Sequence, residues 1–408
     1  MVDGGRILML IMAGLLLMSV GDAAGAQETD PVEVPAGFQV NVWTEQAGVS
    51  AIAYDEDGRM FTASTLGGEV RIVEDQDGDG YGETTTLFAS GLDTPLGLAF
   101  VGSDLYVTGR GSVWRLSDTK QDDKADVIEN VLTGLPYGAE GTGQEVHQTN
   151  GIALSDDGFL YVSQGGTTNA DLETVPLAGT VFRIHPQTGR LAVIADGFRN
   201  PYALIFHSYA GMLVTDNGAD GLTAAGLARD PPDELNWVLP GGHYGHPYYF
   251  SEDTTGRPEL PDGLELSPPI AEFDPHSAAV GLSEWVGGEV FVALYSGKRV
   301  MRVGIDWDSD QPVVTALESF ATGFRSPLAV SASPDGSALY VSDYLSGPVY
   351  RITCDSAVVA ECALEDEVTL GRWARQNSWL VLLVIALFAM LIVLWRRRYR
   401  VKREDTRA

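Results

Sequence analysis

Short apolar runs separated by turns rich in Gly and Asp recur from about Gly37 to Ile352, and no long stretch among them carries the spacing of an amphipathic helix. The runs share one form. A small residue opens an apolar strand, a turn follows, and a second strand ends in Tyr-Val-Ser/Thr or a close variant. The copies read "AIAYDEDGRMFTAS" from Ala51, "GLAFVGSDLYVTG" from Gly97, "GIALSDDGFLYVSQ" from Gly151, "ALIFHSYAGMLVTD" from Ala203, "GLSEWVGGEVFVAL" from Gly281 and "AVSASPDGSALYVSD" from Ala329. A further strand such as "VWRL", "VFRI", "VMRV" or "VYRI" follows most of them. This is the content of a four-stranded blade, so six copies predict an all-β, six-bladed β-propeller. The longer interval between Ala203 and Gly281 predicts an insertion of about thirty residues that holds "DPPDELNWVLPGGHYGHPYYF". A tandem of β-sandwiches is the alternative, but it does not explain one repeat kept in register.

Two apolar runs fall outside this pattern. "ILMLIMAGLLLMSV", followed by small residues to Ala24-Gly25-Ala26, reads as a secretory signal over residues 1–26, with an uncleaved anchor as the other reading because Asp3 weakens the basic start. "WLVLLVIALFAMLIVLW", from Trp379 to Trp395, is uncharged, carries an indole at each end and predicts a single C-terminal transmembrane helix. Arg396, Arg397, Arg398, Arg400, Lys402 and Arg403 follow it, which places a basic tail, 396–408, in the cytoplasm and the body outside the cell membrane. The expected organisation is a signal (1–26), a propeller ectodomain (27–353), a juxtamembrane linker (354–378), the membrane helix (379–395) and the tail. Cys354 and Cys362 predict a local disulfide in that oxidising compartment.

The net charge of −30 persists despite the basic tail, which argues against a nucleic-acid partner. It suits solubility, salt tolerance, divalent cations or a basic protein partner. The chain has no Cys-x-x-Cys-His motif for attaching a haem.

Equivalent positions just before the inner strands of a propeller form a ring around one mouth of its channel. Four residues ahead of the repeat's small residue stand Asp93, His147, Arg199 and Arg325; His276 is one step further back, and Ala47 takes the remaining place. Two guanidiniums, two imidazoles and a carboxylate in phase point to a site for an anionic ligand. Each also has a structural reading: the arginines as ties between blades, His147 as a satisfied core histidine.

"DQDGDGYGE" places Asp75, Asp77 and Asp79 at alternate positions before Gly80, as in a calcium loop. Thr86 stands where an EF-hand carries its bidentate glutamate, so an acidic hairpin is the other reading. The insertion offers further oxygen donors, which favour calcium over zinc.

"HQTNGI", "GFRNPYAL", "TDNGAD", "PDELNWVLPGGHYGHP" and "ASPDGSALYVSDYLSGPVYRI", in this order, resemble the soluble glucose and sorbosone dehydrogenases that use pyrroloquinoline quinone (PQQ). The resemblance implies a quinone over the channel mouth, held by calcium, with His147 as the catalytic base and Arg199 and Asn200 beside the quinone oxygens. It further implies cofactor contacts from Asn217, Lys298 and Arg325, carbonyl ligation of the cofactor calcium by Gly218 and Ala219, and a structural calcium at Glu234 and Tyr244. The activity implied is oxidation of a sugar or other alcohol. Its electrons would pass to a separate acceptor, a cytochrome or a membrane quinone. Two other readings stay open: a calcium-dependent hydrolase resembling the lactonase propellers, and a non-catalytic binding or adhesion propeller.

Overall fold

The computed structural model describes residues 31–138, 147–222, 230–249, 257–307 and 311–354. These residues form six four-stranded antiparallel sheets arranged as the blades of a propeller. The inner strands are Val49–Tyr54, Gly97–Val101, Thr149–Leu154, Pro201–His207, Ala279–Trp285 and Pro327–Ala332. They surround a channel of about 380 Å³ lined by residues such as Leu98, Ile152, Leu204 and Val330.

The small residue that opens each repeat has a packing cause. A Cβ on Gly281 would lie 2.2 Å from the Leu328 carbonyl oxygen, and one on Gly151 would lie 2.7 Å from that of Tyr202. Neighbouring inner strands touch at these points, so only a small residue fits. The second strands are buried throughout in the blades built on Met60–Ser64 and Leu160–Gln164. Both their faces pack between layers, which explains their unbroken apolar runs.

An apolar cluster fills each junction between blades. At the junction of blades five and six, Phe291 is fully buried, with Phe320 at 4.8 Å and Trp285 at 5.5 Å between ring centroids. Phe291→Ala is expected to cost about 3–5 kcal/mol. Urea unfolding with an unchanged slope checks this.

The ring is closed by a strand outside the repeat. Phe38–Glu45 pairs with Pro348–Cys354 and completes the sixth blade from the other end of the chain. The long interval in blade four also resolves differently from the expectation. Asp233–Val238 is that blade's own third strand, paired in register with Gly211–Asp216, and the extra residues lie mainly between it and the short outer strand Ala271–Phe273. Its sequence, "DELNWV", lacks the Val followed within two residues by Arg that the other third strands carry, which hides it.

The signal and the membrane helix fall outside the described residues. Among the described residues no helix is long and apolar enough to cross a membrane. Cys354 is disulfide-bonded, while its expected partner, Cys362, lies outside them.

Candidate functional site

The inner strands all begin on one face of the propeller and the second strands end there, so residues from distant blades meet at one mouth. His147 precedes the inner strand of blade three, Arg199 and Asn200 that of blade four, His276 that of blade five and Arg325 that of blade six. Asn217 follows the second strand of blade four, and Lys298 sits in the turn that follows the second strand of blade five.

His147 is 2% exposed, and its Nδ1 lies 3.0 Å from the carbonyl oxygen of Gly166. A carbonyl only accepts, so Nδ1 carries the proton and Nε2 keeps its lone pair. Burial, and then the charge of Arg199, push the His147 pKa down to about 3. The imidazole is therefore neutral at physiological pH.

Arg199 is buried and fully engaged at its terminal nitrogens. These donate to Asn169 Oδ1 at 2.8 Å, Asp220 Oδ2 at 3.2 Å and the Asn217 carbonyl at 3.3 Å. Its Nε is buried without a partner among the described residues. Desolvation lowers the Arg199 pKa, but from so high a value that the charge persists.

One device holds these residues in place. Asp216, the last residue of its strand, accepts the amides of Arg199 at 3.1 Å and Asn200 at 2.7 Å. Asp343 repeats the clasp in blade six on the amides of Arg325 and Ser326, at 2.8 and 2.7 Å. The aspartate ending "LVTD" and "YVSD" is thus the residue that fixes the start of the inner strand. Asn200 Oδ1 accepts from Asn150 at 3.0 Å, and Asn217 Nδ2 donates to the Ala279 carbonyl at 3.1 Å, which ties blades three to five together.

His276 joins the network from blade five, with Nδ1 2.6 Å from Asp220 and Nε2 2.7 Å from Asp230. The bond to Asp220 is the largest cause of its raised pKa. Arg199, Asp220, His276 and Asp230 form a continuous chain of alternating charge. His276 and Lys298 both have left-handed backbones, φ 60° and 54°, a conformation that non-glycine residues adopt at a cost of about 1–3 kcal/mol.

The Arg325 guanidinium and the Lys298 ammonium are exposed, and neither makes a hydrogen bond or ion pair within the described residues. In so acidic a protein, two unneutralised cations on adjacent blades of one mouth favour an anion there. Asp93 lies on blade two, with Arg110 Nε 3.9 Å from its carboxylate.

The expected metal residues fall into two groups. Gly218 donates its amide to Asp233 at 2.8 Å, and a Cβ there would lie 2.4 Å from the Pro232 carbonyl oxygen, so glycine is required. Ala219 beside it is buried. Glu234 stands in register between Asp216 and Glu272 on three adjacent strands, and Asn236 donates to it at 3.1 Å. Burial, then the Asp216 charge, raise the Glu234 pKa to about 8; burial raises Asp216 to about 7. Asn236 Oδ1 is buried without a partner among the described residues. Two desolvated carboxylates beside an unsatisfied amide oxygen form a donor set suited to a hard cation. The Tyr244 hydroxyl is committed to Leu239 N and the Trp237 carbonyl, 2.9 and 2.8 Å away, and its ring stacks on Phe198.

At the acidic loop the structure corrects the expected triad. Asp75, Asp77 and Glu83 converge, with ligand atoms within 4.8 Å of one another. Asp79 is instead turned to the amide of Tyr81 at 2.8 Å. Asp220 and Asp230, the partners of Arg199 and His276, escape a reading of the sequence because neither occupies a repeat-equivalent position.

A six-bladed propeller with a polar mouth is thus the class that fold and site define. The model of a family described as a domain of unknown function, DUF7133, matches residues 25–230, and the chain belongs to that family. No curated protein matches the sequence. Solved structures similar in fold include the calcium structure of the Trichoderma reesei Carbohydrate-Active Enzymes Family AA12 protein (17% identity, 79% of this chain and 97% of that one, TM-score 0.67). The holo PQQ domain of pyranose dehydrogenase from Coprinopsis cinerea is similar too (17%, 79% and 97%, 0.62). So is the PQQ-bound aldose sugar dehydrogenase from Streptomyces coelicolor (18%, 79% and 100%, 0.60). At these identities the likeness is one of fold.

Proposed function

We propose that the protein is a quinoprotein dehydrogenase that oxidises a sugar or other alcohol with pyrroloquinoline quinone and calcium. Residues 379–395 would tether it to the cell membrane with the propeller outside, near a cytochrome or membrane quinone that takes the electrons. The observation that carries the reading is a neutral, buried His147 with its Nε2 lone pair free, at a mouth that also presents two cations unpaired within the described residues. The fold likeness to PQQ-containing dehydrogenases supports it.

The residues fit the quinone by chemistry. Lys298 and Arg325 would pair with its carboxylates, and Arg199, Asn200 and Asn217 would line it. The carbonyls of Gly218 and Ala219 would hold its calcium, and Glu234 with Asp216 and Asn236 Oδ1 a structural one, since the Tyr244 hydroxyl expected there is already paired. The quinone, when bound, supplies a two-electron acceptor for the hydride leaving the substrate carbon. His147 Nε2 accepts the substrate hydroxyl proton, and the Gly166 carbonyl keeps the ring oriented while it does so. Burial, aided by the Arg199 charge, keeps the imidazole unprotonated beforehand, and the clasped Asn200 and the bonded Asn217 give the mouth a rigid floor.

A non-catalytic binding propeller is the competing reading, favoured by one observation: Arg199 is already shared among Asn169, Asp220 and Asn217. The exposed cations separate the two. Removing Lys298 and Arg325 together (each to Ala) is expected to weaken quinone binding by about ten- to a hundredfold for each charge-assisted hydrogen bond that the substitution abolishes. Absorbance titration with calcium present measures it. Unchanged affinity would place the carboxylates elsewhere.

A further inference from the structure

We propose that Glu173 is a positioning residue for His147, acting through the Gly166–Thr167 peptide to hold the imidazole in the tautomer that leaves Nε2 free. The assignment rests on the reading of His147 as a base. Glu173 lies in the loop after Leu160–Gln164, and its side chain is 14% exposed. Its carboxylate accepts the Thr167 amide at 2.9 and 3.0 Å and the Thr168 amide at 3.0 Å. The hydroxyls of the same two threonines donate to it at 2.6 and 3.0 Å.

The Thr167 amide and the Gly166 carbonyl belong to one planar peptide unit, so a clamp on the first sets the direction of the second. That carbonyl is the acceptor for His147 Nδ1. On the other side, the Gly166 amide donates to the Arg199 carbonyl at 2.7 Å. Residue 166 is therefore held on both sides, through its own amide in the preceding peptide and through the Thr167 amide in the following one. A Cβ on Gly166 would lie 2.4 Å from Glu173 Oε1, so the carboxylate can close on this backbone only because residue 166 is glycine.

Arg199, His246 and Glu173 are the charged or titratable groups facing His147, and His246 Nε2 is 3.7 Å from Glu173 Oε1. Burial alone would raise the Glu173 pKa, but the His246 and threonine contacts bring it down to about 2. The carboxylate stays ionised at any working pH. A backbone carbonyl orients an imidazole without supplying charge, and Glu173 provides the negative charge one peptide away.

Glu173→Gln tests this, because it removes the negative charge and sets an amide nitrogen where Oε2 accepts the Thr167 amide and hydroxyl, while the side chain keeps its size. The probe is nitrogen NMR of His147 in the otherwise unaltered chain, with steady-state kinetics of the PQQ- and calcium-loaded protein beside it. The wild type is expected to show a single Nδ1-protonated tautomer, and the variant a mixture with the Nε2-protonated form. The kcat is expected to fall by about ten- to a hundredfold with KM unchanged, and Glu173→Asp to recover part of it. A pure Nδ1 tautomer with unaltered kcat in E173Q would overturn the assignment. If the wild type reduces no acceptor with the quinone, the dehydrogenase reading falls, but the tautomer comparison still decides the role of Glu173. If E173Q does not fold, Glu173→Ala carries the same comparison, and an unshifted tautomer there overturns the proposal.

Discussion

Replacing His147 with alanine is expected to lower the turnover of the quinone-loaded protein by about a hundredfold to ten-thousandfold, the usual contribution of a positioned general base. Quinone affinity should change by less than about threefold, because the loss is confined to the chemical step. His147→Gln is the sharper control, since an amide can keep the bond to Gly166 but cannot take a proton. With the imidazole pKa pushed down to about 3, the base is already neutral well below physiological pH. Its acidic limb in kcat/KM should therefore lie in that region, leaving the profile flat from about pH 5 to pH 8 as far as His147 is concerned. Stopped-flow reduction of an artificial acceptor across that range measures both effects. Full turnover in H147A would reduce the histidine to a packed core residue.

The second large effect is on stability. Asp216 and Glu234 have folded pKa values raised to about 7 and about 8, above the ordinary carboxylate range. The native state therefore holds protons that the unfolded chain has released, and stability falls as pH rises from about 4 to about 8. His276, whose pKa is raised chiefly by Asp220, acts in the same direction. Glu173, held low, matters only in acid, where its contribution is lost as pH falls below the ordinary carboxylate range. Two shifts of this size correspond to an effect on the order of several kcal/mol. In chelator, the melting temperature should thus drop between pH 5 and pH 8. Calcium should restore it at pH 8, by replacing the protons between the strands of blade four. Asp216→Asn combined with Glu234→Gln should remove most of the pH dependence and the calcium response. A melting temperature independent of pH in chelator would contradict this account of the carboxylate pair.

The blades are legible in the sequence because a structural constraint repeats with them. The small residue of each copy marks the close approach of inner strands, and in blades four and six the terminal Asp of the second strand marks the clasp on that blade's own mouth residue. Phe38–Glu45 is not legible as the closing strand, since its partner lies at the far end of the propeller and the strand belongs to no copy. Asp233–Val238 resembles an insertion because Asn236 takes the place of Trp114, Phe182, Met301 and Tyr350 in other blades, and Trp237 that of the arginine that follows each of them. At the site, His147, Arg199 and Arg325 stand out by phase. Asp220, Glu173 and His246 do not: Asp220 and His246 are placed by loop contacts across 21 and 78 residues of chain, and Glu173 by a loop that folds back on Thr167 and Thr168, which no repeat spacing encodes. Glu83 takes the place expected of Asp79 in the acidic loop for a similar reason. Asp79 instead caps its own turn at the Tyr81 amide.

The central claim is that this mouth binds pyrroloquinoline quinone for hydride chemistry. Its most direct test is an absorbance titration of the purified protein with PQQ and calcium, followed by reduction of an artificial acceptor on addition of sugars and alcohols. Saturable one-to-one binding, with acceptor reduction that disappears in H147A, is the predicted result. No quinone binding at any calcium concentration would contradict it.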